Sequence, residues 1–101
     1  MSAAVAARIV ADIDADRVEP GDVEVHVIDG VVWGYGFACP GCGERSFLAL
    51  SGENPEPRWT VTEGDVARPE TVTLAPSILH ERARGGCGWH GFLAAGNFVP
   101  C

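Results

Sequence analysis

Two short stretches far apart in the chain set the tightest limit on how it can fold. Cys39-Pro40-Gly41-Cys42-Gly43 and Cys87-Gly88-Trp89-His90-Gly91 each carry two soft donors around a two-residue gap, with glycine directly after the second donor. A donor-x-x-donor loop lets both side chains reach one ion, because the backbone curls into a tight knuckle. The following glycine permits the reversed turn and leaves backbone N–H groups free to donate to sulfur. Thiolate and imidazole are preferred ligands of tetrahedral Zn²⁺. The pair of knuckles predicts one Zn²⁺ site built from Cys39, Cys42, Cys87 and His90, where a lone Cys-x-x-Cys would be weak. The competing readings are two unrelated turns with buried thiols, or a redox pair, but a redox pair follows a strand and opens a helix, and the glycines around Cys42 work against a helix.

Cys101, the last residue in the sequence, adds a fifth donor. The run Phe92–Val99 reads as a small hairpin. If it turns at Ala95–Gly96, Cys101 returns opposite His90; if it turns at Gly96–Asn97, Cys101 faces Phe92. Cys101 is therefore the alternative fourth ligand, with His90 favoured by the regular knuckle spacing.

Four soft ligands from two knuckles describe a closed, structural site. A catalytic zinc keeps an open position and needs a general acid or base beside it. The deaminase pattern H-x-E before P-C-x-x-C does not occur, and His80-Glu81 is not completed to H-E-x-x-H. The expected role is thus a non-enzymatic, zinc-stabilised module that binds or assists protein partners. The rival readings are a zinc-dependent enzyme whose site opens when one ligand leaves, and a nucleic-acid adaptor.

Charge bears on the last of these. The chain of 101 residues has a net charge of −7, and its seven basic residues are all Arg. Nucleic-acid binding draws on clustered Lys and Arg that release counterions, and the densest cluster is only Arg82 with Arg84, so no nucleic-acid partner is expected. No run approaches the ~18 apolar residues of a membrane span, and the N-terminal segment lacks the pattern of a signal peptide. Cysteines at metal-binding spacing without an export signal point to a cytoplasmic protein.

The length and the 47% hydrophobic content suit a single domain over residues 1–101. Residues 1–20 read as a short N-terminal helix followed by an acidic loop: Val5, Ile9 and Ile13 recur at four-residue spacing, with Ser2 as the N-cap. Asp12, Asp14 and Asp16 begin like a calcium loop, but Arg17 and Val23 stand where Gly and Glu are needed, so a solvated loop is expected. Residues 21–101 read as a β-rich, zinc-ribbon-like core. Asp29-Gly30 between Val-rich runs is a strong hairpin signal, and a two-residue loop pairs Ile28 with Val31, His26 with Trp33 and Glu24 with Tyr35. Residues 46–50, 58–62 and 71–75 read as strands, 51–57 as a loop, and 76–85 as a short helix ending at Gly85, with His80 on its surface. Trp33, Tyr35 and Trp59 are expected to cover the core, with an exposed aromatic patch for a partner as the alternative. The fold class is small, mostly β (α+β), with the knuckles beside β-hairpins.

The order Cys39-Pro-Gly-Cys-Gly-Glu, Arg58-Trp-Thr-Val, Thr73-Leu-Ala-Pro-Ser-Ile-Leu and Gly85-to-Cys101 resembles a small family of bacterial and phage proteins of unassigned function. The resemblance covers about residues 35–101. Its pattern has a Cys knuckle, a Trp strand, a Thr-Leu-x-Pro-Ser-Ile segment and Cys-x-x-His-Phe before a hairpin. Gly91 departs from it by separating His90 from Phe92. The resemblance implies a zinc-binding, β-rich protein in a bacterial or phage-infected cytoplasm. The resemblance also implies, from relatives encoded beside ubiquitin-like conjugation genes, an accessory or substrate-recognition role there.

Overall fold

A computed structural model describes residues 4–50 and 58–101; the loop expected at 51–57 and the Ser2 cap lie outside the described residues. Among the described residues ten strands run in chain order: β1 Val5–Ala6, β2 Arg8–Ile9, β3 Asp22–Ile28, β4 Val31–Ala38, β5 Arg45–Ala49, β6 Thr60–Glu63, β7 Thr73–Ala75, β8 Ile78–Leu79, β9 His90–Ala94 and β10 Asn97–Pro100. They form one sheet in the order β1-β10-β9-β8, a second in the order β2-β3-β4-β5, and a small β6-β7 pair. Among the described residues no helix is long and apolar enough to cross a membrane.

The two larger sheets bury Tyr35, Phe37 and Leu48 from one side and Ile78, Leu93 and Phe98 from the other. Phe37 and Phe98 stack across the gap with ring centroids 5.7 Å apart. Each such ring taken out of water contributes roughly 1.5–3 kcal/mol. Tyr35 is fully buried, and its hydroxyl donates to the Val66 carbonyl at 2.6 Å, so the phenol has a partner. Burial, followed by the nearby Asp65 and Glu70, pushes its pKa upward. Trp59 packs on the core and Trp33 is half-buried.

The N-terminal helix is not formed. Residues 5–9 are extended, with β1 pairing to β10 and β2 running parallel to β3. The competing partner is the edge of each sheet: Ala7 N–H donates to Gly96 at 2.8 Å, Arg8 to Gly21 at 3.1 Å and Val10 to Val23 at 2.9 Å. Arg8 also forms two 2.9 Å hydrogen bonds with the buried Asp22 carboxylate. Together with the Glu19 N–H, this guanidinium holds the Asp22 pKa below its ordinary value against the burial that would raise it. Sheet edges thus satisfy backbone groups that a short helix would have paired within itself.

The Asp29–Gly30 turn forms as expected, with both residues at positive φ and Ile28 opposite Val31. A bulge between His26 and Val27 then shifts the register, so that His26 faces Gly34, Val25 faces Tyr35 and Glu24 faces Gly36. An inserted residue exchanges the two faces of a strand relative to its partner. This puts Val23 and Val25 with Tyr35 on the core side, and Glu24 and His26 on the other.

Candidate functional site

β4 ends at Ala38 and delivers the buried Cys39 into the first knuckle. The turn is closed by Cys39 N–H to the Glu44 carbonyl and Gly43 N–H to the Cys39 carbonyl, both 2.8 Å, with Gly43 at φ +79°. Gly41 N–H donates to Cys39 Sγ at 3.4 Å, the N–H···S contact a knuckle supplies. Cys87 arrives from the turn between β8 and β9, and its Sγ lies 3.6 Å from Cys39 Sγ.

The imidazole in this corner belongs to His80. Its Nδ1 is 3.9 Å from Cys42 Sγ and 4.0 Å from Cys87 Sγ, and all four donor atoms of Cys39, Cys42, His80 and Cys87 lie within 4.8 Å of one another. A tetrahedron with metal–sulfur bonds of about 2.3 Å has edges of about 3.8 Å. The three thiols and one imidazole therefore fit a tetrahedral cation in both chemistry and spacing. Burial pushes the Cys39 thiol up to about 12 despite the N–H groups of Gly41 and Cys42. At Cys87 burial also opposes ionisation, but the Trp89 N–H and contacts from Cys39, Cys42 and His80 outweigh it and lower the thiol to about 7.

His90 is elsewhere. The expected helix at 76–85 is replaced by β8 and a 3₁₀ turn at Arg82–Arg84, closed by Gly85 in the left-handed region. Strand β8 pairs with β9, with Ile78 opposite Gly91 and Leu79 opposite His90. Beyond β8, His80 N–H donates to the Trp89 carbonyl at 2.9 Å, and the His80 carbonyl accepts from Gly88 at 2.8 Å. His80 is thereby folded back over the Cys87 turn, and a Cβ on Gly86 would run into its carbonyl and ring. Along β9 the residues alternate, so His90 and Phe92 point outward while Gly91 and Leu93 are buried. The regular Cys87-x-x-His90 spacing is real, but strand alternation sends His90 to the outer face, away from the thiols.

On that face His90 meets Ser77. Ser77 Oγ and His90 Nε2 are 2.8 Å apart. The Ser77 carbonyl accepts a 3.2 Å hydrogen bond from Trp59 Nε1, which fixes the backbone at the start of β8. The preceding Ala75–Pro76 peptide bond is cis. Among the described residues, no other serine hydroxyl is hydrogen-bonded to a histidine ring. His26 instead meets Phe47 edge-on, with ring centroids 5.7 Å apart. Cys101 returns opposite His90, as the Ala95–Gly96 turn requires, and donates its N–H to the His90 carbonyl at 2.9 Å. Cys101 is exposed and stands outside the group of four donors.

Neither Ser77 nor His80 stands out in the sequence: Ser77 falls in the Thr-Leu-x-Pro-Ser-Ile segment with no partner within a few residues, and His80 sits in a run that suggests a helix surface. Their signal is a matched pair of spacings: Ser77-x-x-His80 and Cys87-x-x-His90 face each other across one hairpin.

No curated protein and no solved structure matches the chain. A family model does match over residues 9–101, a span that holds the four clustered donors as well as Ser77 and His90. Its description is of a serine protease, which overturns the expectation of a non-enzymatic module and points to an enzyme. On this match the chain belongs to the BubE family, described as the bacterial ubiquitination-like system serine protease.

Proposed function

We propose that the chain is a serine hydrolase that cleaves acyl bonds in a protein substrate of a bacterial ubiquitination-like system, with Ser77 as nucleophile and His90 as general base. The observation that carries this reading is the 2.8 Å contact between Ser77 Oγ and His90 Nε2 on an open sheet face. Such a separation suits proton transfer from a hydroxyl to an imidazole.

The steps follow from that contact. Ser77 Oγ attacks the carbonyl carbon while His90 Nε2 takes the hydroxyl proton. The carbonyl oxygen carries the negative charge of the tetrahedral intermediate. As the C–N or C–O bond breaks, His90 returns the proton to the leaving nitrogen or oxygen, and the acyl group stays on Ser77 as an ester. Water, deprotonated by His90, then attacks that ester and frees the acid and the serine.

We further propose that Cys39, Cys42, Cys87 and His80 hold Zn²⁺ in a closed structural site. The fit of the donor set to a tetrahedron supports it. A bound ion would add no step to the reaction. It would tie β4 to the hairpin that carries both reacting groups, since His80 follows Ser77 by three residues and Cys87 precedes His90 by three. The test of the catalytic assignment is turnover of an activated acyl ester by the zinc-loaded protein. Loss of turnover in both Ser77→Ala and His90→Ala, with zinc content unchanged, is the expected result. Turnover that survives Ser77→Ala contradicts the reading.

A further inference from the structure

The outer face of the β10-β9-β8 sheet has the wrong composition for a surface that only meets water. Antiparallel sheets with one solvated face alternate apolar inside and polar outside. Here the inward residues Ile78, Leu93 and Phe98 are at most 2% exposed, yet the outward ones are apolar as well: Leu79 is 51%, Phe92 44% and Val99 37% exposed. None of these three belongs to the core cluster.

Their register relates them to the reacting pair. Leu79 lies opposite His90, and Val99 lies opposite Phe92. Continuing the β8–β9 register by one residue sets Ser77 opposite Phe92. The face thus carries two parallel rows, one of Ser77, Phe92 and Val99 and the other of Leu79, His90 and Cys101. The chemistry distinguishes the rows. His90 must hand its proton to the leaving group, so the leaving group lies over the His90 row. The acyl group stays bonded to Ser77 Oγ and extends along the other row, over Phe92 and Val99.

We propose that Phe92 and Val99 form the acyl subsite of this hydrolase, and that it takes an apolar group close to the carbonyl under attack. The occupant is the acyl portion of the substrate, because that is what an acyl-enzyme on Ser77 must place there. The inference rests on the Ser77–His90 reading above and adds the substrate class to it. A half-exposed ring and an isopropyl group give area to an aliphatic or aromatic side chain and no partner to a charged one. An apolar pocket of this kind discriminates by roughly 10–200-fold for a methylene-sized difference when fully enclosed, so an open row is placed at the lower end.

The experiment measures kcat/KM of the zinc-loaded protein on p-nitrophenyl acetate, butyrate and hexanoate, and on the N-acetylglycine and N-acetylphenylalanine p-nitrophenyl esters. Each rate is taken as the part lost in Ser77→Ala. The expected hexanoate-to-acetate and phenylalanine-to-glycine ratios are about tenfold. Phe92→Ser brings both ratios close to one, and Val99→Thr lowers them by a smaller factor. Phe47→Ser, at a ring 45% exposed on the other sheet, leaves them as in the wild type. A Ser77-dependent rate that is flat across the series overturns the subsite while leaving the nucleophile standing. A preference that Phe92→Ser does not alter overturns it as well. So does a wild-type dimer, seen by light scattering, that Phe92→Ser dissociates without changing the ratios. Absence of any Ser77-dependent rate overturns the subsite and the catalytic reading together.

Discussion

The corner where β4 meets the β8–β9 turn and the outer face of that same hairpin are about three residues apart along the chain on either strand, yet they are built on opposite terms. The corner gathers Cys39, Cys42, His80 and Cys87 around a common point, with Cys39 buried and backbone N–H groups aimed at sulfur. The face presents a hydroxyl and an imidazole that meet each other at 2.8 Å, beside apolar side chains left in contact with water. A set of soft donors closed on itself suits holding; a polar pair on an open surface suits reacting. The difference teaches that histidine type alone does not assign a role, because His80 and His90 are one strand apart and lie in different surroundings, one among three thiols and the other against a serine hydroxyl.

The division can be broken most forcefully at the corner. Removing zinc with a strong chelator, or substituting Cys39→Ser, is expected to abolish the cooperative unfolding transition seen by circular dichroism. Structural zinc contributes about 10–16 kcal/mol in small domains, as much as the whole net stability of a typical domain, about 5–15 kcal/mol. A metal-free protein with an unchanged melting curve contradicts the holding role.

At the face, Ser77→Ala and His90→Ala are each expected to lower turnover by about 10³-fold or more. The same variants should keep their melting curves and their zinc. His80→Ala is expected to show the reverse priority: zinc affinity falls by more than the ~10–100-fold typical of losing a residue that only hydrogen-bonds a ligand, and activity falls with it. Chelator competition on the His80→Ala and His90→Ala proteins reads this directly. If His90→Ala loses zinc and His80→Ala retains it, the two roles are exchanged.

Two milder substitutions sharpen the comparison. A Cβ at Gly41 would sit 3.0 Å from both Cys87 Sγ and Trp89 Cβ, so Gly41→Ala must displace one of them slightly. Zinc affinity is expected to fall by a few-fold, read by chelator competition, with the Ser77-dependent rate at saturating zinc little changed. Trp59→Phe removes the 3.2 Å hydrogen bond to the Ser77 carbonyl. A lost hydrogen bond of this kind is worth about 1 kcal/mol, or roughly fivefold in rate if it is felt only at the serine. Equal effects of both variants on zinc and on turnover would argue against two separable centres.

How much of this was legible in the sequence follows the range of the interactions. The Cys39–Cys42 knuckle and the Asp29–Gly30 turn are set by residues within a few positions of each other, so they could be read directly. The Ala95–Gly96 turn was one of two open registers, and it brings Cys101 opposite His90. The fourth donor and the Ser77–His90 contact depend on β8 pairing with β9 across an intervening 3₁₀ turn, and no local spacing encodes that register. The same holds at the N-terminus, where Val5, Ile9 and Ile13 carry a helical spacing that two sheet edges override. In the β3–β4 hairpin one extra residue on β4, Trp33 between the Val27–Val32 and His26–Gly34 pairs, is enough to interchange the faces although the turn itself is legible.

The most direct test of the account is covalent labelling of the zinc-loaded protein with a fluorophosphonate, followed by intact mass measurement and peptide mapping. Attack of Ser77 Oγ on phosphorus expels fluoride and leaves a phosphonyl ester. The account predicts one adduct per chain, located on the peptide containing Ser77. It further predicts that His90→Ala abolishes the adduct at unchanged zinc content. No adduct, an adduct on another serine, or labelling of Ser77 that His90→Ala leaves undiminished would contradict it.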